Sequence, residues 1–399
     1  MSVAATPSNS EAFRIGMLLS DTRYRSTTIQ VIALFIFMLV FAWLISNTIQ
    51  NLEALGKDFN FGFLKDPASY DINQRLIEYT SRSPHWKAAL VGILNTLLIA
   101  ILGCIAATFI GVAAGVLRLS KNWIVSRLMA VYIEGTRNIP LLIQILLWYA
   151  IFIEVLPAPR QAEAMLGGAL VPTNRGFYIP SFVYENGSGV VGIVLLIAIV
   201  ATVVFRRWAK QRQMATGQQL PTLWISLGIL IVPALLTFFA MGSPISLEYP
   251  ELKGFNYKGG LHARNSLVAL WLALSVYTGA FIAENVRAGI LAVSHGQTEA
   301  AYALGLRPKR TMNLVILPQA LRVIIPPLIS QYLNLTKNSS LAIAVGYMDA
   351  TGTLGGITLN QTGREMECIL LLMAFYLLIS LTISGVMNMY NERVKLVER

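Results

Sequence analysis

Hydrophobic positions along this chain come in long uncharged blocks. Residues 26–52, 88–117, 189–205, 213–247, 265–283 and 368–391 contain no Asp, Glu, Lys or Arg. Each block is near or above the roughly 17–25 residues a helix needs to cross the hydrocarbon core of a bilayer. Two further runs, 138–153 and 323–349, are apolar but short or interrupted. The pattern predicts about eight spans in an all-α, polytopic transmembrane helical bundle, the first of them over 29–49.

The polar positions inside and between these blocks predict local detail. Residues 50–87 are broken by Gly56, Gly62 and Pro67, and Leu76, Ile77 and Tyr79 suggest a short amphipathic helix over 71–81 on the membrane surface. Gly111 and Gly115 form a GxxxG, a signature of close helix packing. Asn95 and Thr96 open the second span and need partners. With Gln144 they read as helix–helix hydrogen bonding, and Gln144 is also a candidate for the substrate path. Pro140 fits the first turn of a helix. Glu284 and Arg287, three residues apart, share a helix face and can pair. Lys337, with Asn338, Ser339 and Ser340, interrupts an apolar run, and an intramembrane charge faces a cavity or a partner. Glu284, Lys337, Asn338, Ser339, Ser340 and Gln144 are therefore the candidate path residues, with a structural role the alternative for Lys337.

One segment fits neither a span nor an idle linker: EAAYALGLRPKRTMNLVILPQALR, residues 299–322. Ser294 and Gln297 make a capping-box pattern for a first helix running to Leu304. Gly305 sits where a left-handed terminus favours glycine. Pro308 can open a second helix carrying Met312, Val315 and Ile316 on one face, and Pro318 is expected to end or bend it. Ala300, Ala301 and Leu304 would give the first helix a small apolar side, edged by Glu299. The expected product is a helix–turn–helix hairpin with a docking face.

Composition agrees with a membrane protein: of 399 residues 55% are hydrophobic and 13% charged, where a soluble domain carries about 25% charged. The first apolar run follows a polar segment with Arg14, Arg23 and Arg25 and is too long for a signal-peptide core. Charge sets an orientation. With eight spans and the N-terminus inside, inside segments hold 19 of the 31 Lys and Arg and six of the 20 acids. The inside is then strongly positive, as the positive-inside rule requires. Both termini and the hairpin are expected in the cytoplasm, and the alternation of basic segments with spans argues against nucleic-acid binding. Cys104 and Cys368 do not read as a disulfide framework, and His85, His262 and His295 are too scattered for a metal site. No G-x-x-x-x-G-K-[ST] occurs, so the chain is not expected to bind ATP, and no cofactor is expected.

EAA, three residues, Gly305, nine residues and VILP resemble the EAA motif of permease subunits of ABC-type importers, with Val315 where that family has Ile. LNTLLIAILGCIAATFIGVAAGVLRLS and YIEGTRNIPLLIQILLWY resemble the first two core helices of its polar amino-acid branch, with Asn138-Ile139 replacing the usual Gly-Thr. YTGAFIAENVRAGILAVSHGQTEAAYALGL and KNSSLA are similar to its third helix and the start of its fourth-helix motif. The likeness covers about 88–390 apart from 157–264. An extra N-terminal span and FNFGFLKDPASYDI before the core resemble permeases of general L-amino-acid (Aap/Bzt-type) importers.

The resemblance implies a type I permease core at 88–390 with an inserted segment, 157–264, carrying two extra spans. Around it lie a cytoplasmic segment 1–28, the extra span 29–49, a periplasmic segment 50–87 and a cytoplasmic tail 391–399. It also implies a non-enzymatic subunit that imports L-amino acids across the bacterial inner membrane. Its partners would be an ABC ATPase docked at Glu299, Ala300, Ala301, Leu304, Gly305, Leu317 and Pro318, a periplasmic amino-acid-binding protein, the lipid bilayer, and a second permease chain, similar or identical, with a heterodimer preferred. The alternatives are an ion-coupled secondary amino-acid transporter and an ABC permease for another small polar solute.

Overall fold

The computed structural model describes residues 22–54, 56 and 58–394. The expected N-terminal segment up to residue 21 and the last five residues of the tail lie outside these. The chain divides into two compact units, 1–64 and 65–399.

The first unit contains α1 (Thr22–Ala54), longer at both ends than the expected span. From Ile29 to Ile49 its large apolar side chains are exposed all around the helix. A helix apolar on every side suits lipid rather than water.

The second unit holds α2 (His85–Arg118), α3 (Trp123–Asn138), α4 (Leu141–Glu154), α5 (Ser188–Thr216), α6 (Thr222–Ala240) and α7 (Asn265–Leu291). These are followed by α8 (His295–Ala303), α9 (Pro308–Thr311), α10 (Leu317–Asn338), α11 (Leu359–Thr362) and α12 (Glu365–Val394). Among the described residues seven helices are long and apolar enough to cross a membrane, and eight spans result if one bent pair counts as a span. Every expected span has a counterpart.

The short run expected over 138–153 forms α4, and α3 precedes it as the other half of the bent pair. α3 and α4 meet at 106° around Ile139 and Pro140. Proline lacks an N–H and pushes the residue before it out of the helical region, and Ile139 is extended, at φ −97° and ψ 128°. Pro140 is thus the cap of α4 rather than a residue inside it. The amide Nε2 of Gln144 donates to the carbonyls of Thr136 (2.9 Å) and Ile139 (3.0 Å), which the break leaves without helical partners. Asn122 starts α3, its Oδ1 accepting from the N–H groups of Ile124 and Val125. With 14 residues, α4 spans only about 21 Å, short of the ~30 Å hydrocarbon core.

No amphipathic helix forms over 71–81; that stretch is irregular. Ile72 and Tyr79 turn inward with Ala68, Tyr70, Ala88 and Val91, while Leu76 points out. The Tyr79 hydroxyl donates to the Tyr70 carbonyl at 2.8 Å and Arg75 to the Tyr79 carbonyl. These inward contacts fix a compact cap over the start of α2, and they need the chain to fold back rather than coil along the membrane.

The inserted segment departs from all-α architecture. It carries seven strands of three or four residues: β1 (Val171–Thr173), β2 (Gly176–Ile179), β3 (Ser181–Tyr184), β4 (Ile245–Glu248), β5 (Glu251–Lys253), β6 (Asn256–Lys258) and β7 (Leu261–Ala263). β1, β2 and β7 form one antiparallel sheet, with Tyr178 opposite His262. The sheet ties the entry of the insertion to its exit. α5 and α6 pack on each other, β3 pairs with β4, and β5 with β6.

The core centres on α7, whose buried residues include Leu270, Leu274 and Ile282. α2 lies against it without room for a side chain at the GxxxG. A Cβ on Gly111 would stand 2.6 Å from Ile282 Cβ and 2.9 Å from the Gly279 carbonyl oxygen, and one on Gly115 would stand 2.6 Å from the Ala283 carbonyl oxygen. Trp271 Nε1 donates to the Leu102 carbonyl at 3.1 Å across the same interface. Asn95 and Thr96 do act between elements. Asn95 Nδ2 donates to the carbonyls of Gln74 (2.7 Å) and Met348 (2.8 Å), and Thr96 accepts from the Ala350 N–H (3.0 Å).

Gly111→Val and Gly115→Val should each destabilise the protein by about 1–3 kcal/mol or more, since overpacking must push α2 off α7. Gly135→Val, on α3 with open space around it, should not. Thermal unfolding in detergent, followed by size-exclusion profile, reads the difference; equal melting for all three would refute the tight contact.

Candidate functional site

At the end of α7 away from the insertion, residues 294–316 form the expected hairpin. α8 runs His295–Ala303 and stops at Leu304. Gly305 takes φ +75° and donates to the Tyr302 carbonyl at 2.9 Å, and the Leu306 N–H reaches back to the Ala301 carbonyl at 3.1 Å. This pair of bonds is the Schellman closure, which requires a left-handed residue at Gly305. Pro308 opens α9 in its first turn.

Three expectations are corrected here. Ser294 is the cap residue of α8 but makes no side-chain capping bond. Gln297 instead accepts from Gln319 Nε2 at 3.3 Å, stitching the two arms together. Pro318 does not end the second arm, which continues from α9 through a π-helical turn, Met312–Ile316, into α10. A π turn widens the helix by one residue and accommodates a break in the bonding ladder, here with the Leu317 N–H donating to the Met312 carbonyl. Ala301, expected on the docking face, is only 3% exposed and so is not part of an outward face.

The outward face is thus narrower. Leu304 is 82% exposed at the tip, beside exposed Ala300 and Gly305. Glu299 extends from the same helix, its Oε1 3.0 Å from Nδ1 of His295. Leu317 is exposed and Pro318 half-buried at the root of the second arm. An apolar side chain presented this way gains about 1.5–3 kcal/mol when a partner covers it fully. The hairpin is fixed to the bundle at its root, where a side chain on Gly289 of α7 would collide with Ile324 of α10.

Beside that root lies an ionic cluster. Arg118, ending α2, donates to Glu284 Oε2 at 2.9 Å and to Glu134 of α3 at 3.1 Å. Arg287 closes on Glu284 Oε1 at 2.6 Å. Arg118 therefore ties three helices, and Glu284 joins α7 to α2 through it, a larger role than the pairing with Arg287 that the spacing gave. Arg118 and Glu134 were not among the expected site residues. Their signal was weak: each closes or follows an apolar run, but nothing in the one-dimensional pattern brings them together.

The other path candidates sit apart. Gln144 has its amide nitrogen engaged at the α3–α4 bend. Lys337 and Asn338 end α10, and Ser339 and Ser340 open a 3₁₀ segment to Val345. The Ser339 and Ser340 hydroxyls donate to the carbonyls of Thr336 and Lys337, both at 2.8 Å. Leu335 would crowd a side chain at Gly103, near the middle of α2, so Lys337 stands near mid-bundle. It is exposed and has no ion pair among the described residues.

Residues 193–396 match the family model described as "Binding-protein-dependent transport system inner membrane component". The chain is 52% identical, over the whole of both chains, to the glutamate/glutamine/aspartate/asparagine transport system permease protein BztB of Rhodobacter capsulatus. The chain belongs to this family of binding-protein-dependent transport permeases. It is also 44% identical to the general L-amino acid transport system permease protein AapQ of Rhizobium johnstonii, over all of this chain and 99% of that one. The putative amino-acid ABC transporter permease protein YhdX of Escherichia coli is 45% identical over 94% of this chain and 95% of its own. These full-length matches take in the extra N-terminal helix and the insertion as well as the core.

In this permease Glu284→Gln should leave Arg118 and Arg287 without their shared carboxylate and cost about 1.5–3 kcal/mol, the range for hydrogen bonds to charged groups. Glu134→Gln, on a side chain 65% exposed, should cost well under 1 kcal/mol. Thermal unfolding of the two variants tests this ordering; a reversed order would show that Glu284 does not hold the cluster.

Proposed function

We propose that the chain is the permease subunit of an ATP-binding-cassette importer that carries L-amino acids inward, with ATP hydrolysed by a separate subunit. The observation that carries this reading is the hairpin: a rigid, outward-facing Leu304 knob joined without a flexible link to the two long helices at its root. A site built this way passes a push at its tip into the bundle. Glu299, Ala300, Leu304 and Gly305 are the docking face for the ATPase, Ala301 is buried in the same hairpin, and Leu317 and Pro318 form the root. The relatives' names supply the solute class: each is a permease for amino acids.

In this reading the hairpin, both termini and the tail 391–399 face the cytoplasm, and 50–87 with the stranded parts of 157–264 face the periplasm. A periplasmic binding protein delivers the solute, and a second permease chain, in a heterodimer, completes the path. Mid-bundle Lys337, with Asn338, Ser339 and Ser340 beside it, is retained as a path element. Glu284 and Gln144, engaged in the ionic cluster and the bend, act on the path only by shaping the helices. Nucleotide-driven movement requires contacts that differ between two states of the bundle, and the hairpin tip is the surface where the ATPase would make them.

Leu304→Asp and Gly305→Pro should each leave the permease inserted and folded but lower ATPase co-purification and amino-acid uptake at least tenfold. Aspartate removes the apolar contact, and proline cannot take the positive φ of Gly305. Co-purification and uptake in cells measure this, and wild-type values for both variants would sink the docking assignment. Uptake that survives loss of the ATPase but stops when the proton gradient collapses would favour an ion-coupled transporter instead.

A further inference from the structure

At the end of α7 opposite the hairpin lies a cavity of about 380 Å³, within the range of small-molecule sites, roughly 300–1,000 Å³. Core and insertion build it together. The core contributes Gln74, the start of α7 and the turn after the 3₁₀ segment; the insertion contributes the Asn174–Arg175 turn between β1 and β2 and the stacked Tyr178–His262 pair, whose rings lie 4.2 Å apart and nearly parallel. Arg175 and Arg264 line it, and no Asp or Glu does.

Its polar atoms are unevenly used. Oδ1 of Asn174, Oδ1 of Asn265 and Nε of Arg264 are buried and have no hydrogen-bond partner in the chain. The assignment at Asn265 is fixed by its other end, since Nδ2 donates to the Asn174 carbonyl at 2.7 Å. Asn265 is 4% exposed. Buried polar groups in native proteins are almost always paired, so three unpaired ones on one cavity wall point to a ligand that pairs them. Arg264 also caps the 27-residue α7 without a side-chain bond to its first turn. A helix start of this length carries partial positive charge and free N–H groups.

The two sets of groups ask for opposite charges. The amide oxygens of Asn174 and Asn265 accept, and suit an ammonium. The Arg264 guanidinium, Arg175 and the α7 N-terminus donate, and suit a carboxylate. We propose that the inserted segment closes a periplasmic substrate cavity in which a free L-amino acid is held by its α-ammonium on Asn174 and Asn265 and by its α-carboxylate on Arg264 and the start of α7. Beyond these anchors the lining mixes polar Asn73, Asn256 and Ser266 with Ile153 and Met348, so the side-chain end of the cavity can take both polar and apolar groups. This inference rests on the amino-acid reading above and adds where the solute is held and what the insertion contributes.

The test uses the full permease complex in nanodiscs without binding protein, and radiolabelled L-glutamine in equilibrium dialysis. Saturable binding is expected, competed by other L-amino acids but neither by 4-aminobutanamide, which lacks the α-carboxylate, nor by glutaramic acid, which lacks the α-amine. Arg264→Gln and Asn265→Leu should each weaken it at least tenfold. Asn174→Leu, in the turn between β1 and β2, which leaves the backbone carbonyl that accepts from Asn265 in place, should do the same in a complex that purifies normally, which guards against misfolding. Absence of saturable binding by a complex that still imports amino acids would overturn the cavity assignment while leaving the transport reading intact. Glutamine binding by a complex that imports no amino acid would do the reverse. Unchanged glutamine binding in all three variants would also overturn it; if, in a separate pull-down, those same variants then fail to retain the binding protein, the surface is a protein-docking site instead.

Discussion

Everything in the second unit hangs on how closely α2 approaches α7. Lipid chains are as apolar as leucine, so burying apolar side chains between membrane helices gains little; close van der Waals contact and interhelical hydrogen bonds must hold them. Gly111 and Gly115 bring the α2 backbone against the carbonyls of Gly279 and Ala283. Trp271 and Asn95 then add bonds along the same helix. Gly279 extends the contact sideways, since a side chain there would meet Ile110 at 3.0 Å and the Tyr132 hydroxyl of α3 at 3.2 Å. Tyr132 in turn donates to the Val276 carbonyl at 2.8 Å. The ionic cluster of Arg118, Glu284, Arg287 and Glu134 fastens the end of the same three helices. Packing sets their spacing, and the charges set where along their lengths they register.

That fixed spacing gives the hairpin its mechanical meaning. A docking loop on a slack tether would absorb any push at its tip. Here the first arm follows α7 after a three-residue turn, and the second runs without a non-helical break through the π turn into α10. The Schellman closure at Gly305 and the Gln297–Gln319 bond stop the arms from spreading. In the proposed coupling role a displacement at Leu304 would reach the ends of α7 and α10 together, since at Gly289 the Ile324 side chain of α10 packs directly on the α7 backbone.

The amino-acid sequence made much of this legible. Uncharged runs located the spans because the bilayer imposes a length that soluble packing does not. Gly305 and Pro308 marked the hairpin because each relieves a specific backbone constraint. What stayed hidden depends on contacts between distant residues. Leu76, Ile77 and Tyr79 looked like one face of a surface helix, and only the packing of Tyr79 with Ile72, Ala88 and Val91 shows it as part of a core. Strands of three residues carry too little alternation to be recognised, and β2 exists because β7, more than eighty residues later, lies beside it. Ser294 and Gln297 fit a capping box, but Gln319 competes for Gln297. Gln144 is polar within an apolar run, and its amide nitrogen closes the carbonyls at the broken helix before Pro140, a contact that no spacing in the sequence marks.

α7 joins the two regions that matter. Its first residues face the polar cavity and its last lead to the hairpin, about 40 Å away for 27 residues. A helix of that length, clamped against α2 through its middle, is too well packed to bend gradually, and packed interfaces tend to switch between discrete arrangements. Any change in how α7 sits against α2 then alters the cavity mouth and the hairpin position together. Coupling of that kind is reciprocal in free energy: if a nucleotide-bound partner at Leu304 favours one setting of α7, a solute at Asn265 that favours the same setting must strengthen the partner's grip. If the proposed sites are coupled in this way, the glycines that let α2 and α7 touch are as much a part of the coupling as the residues at either end.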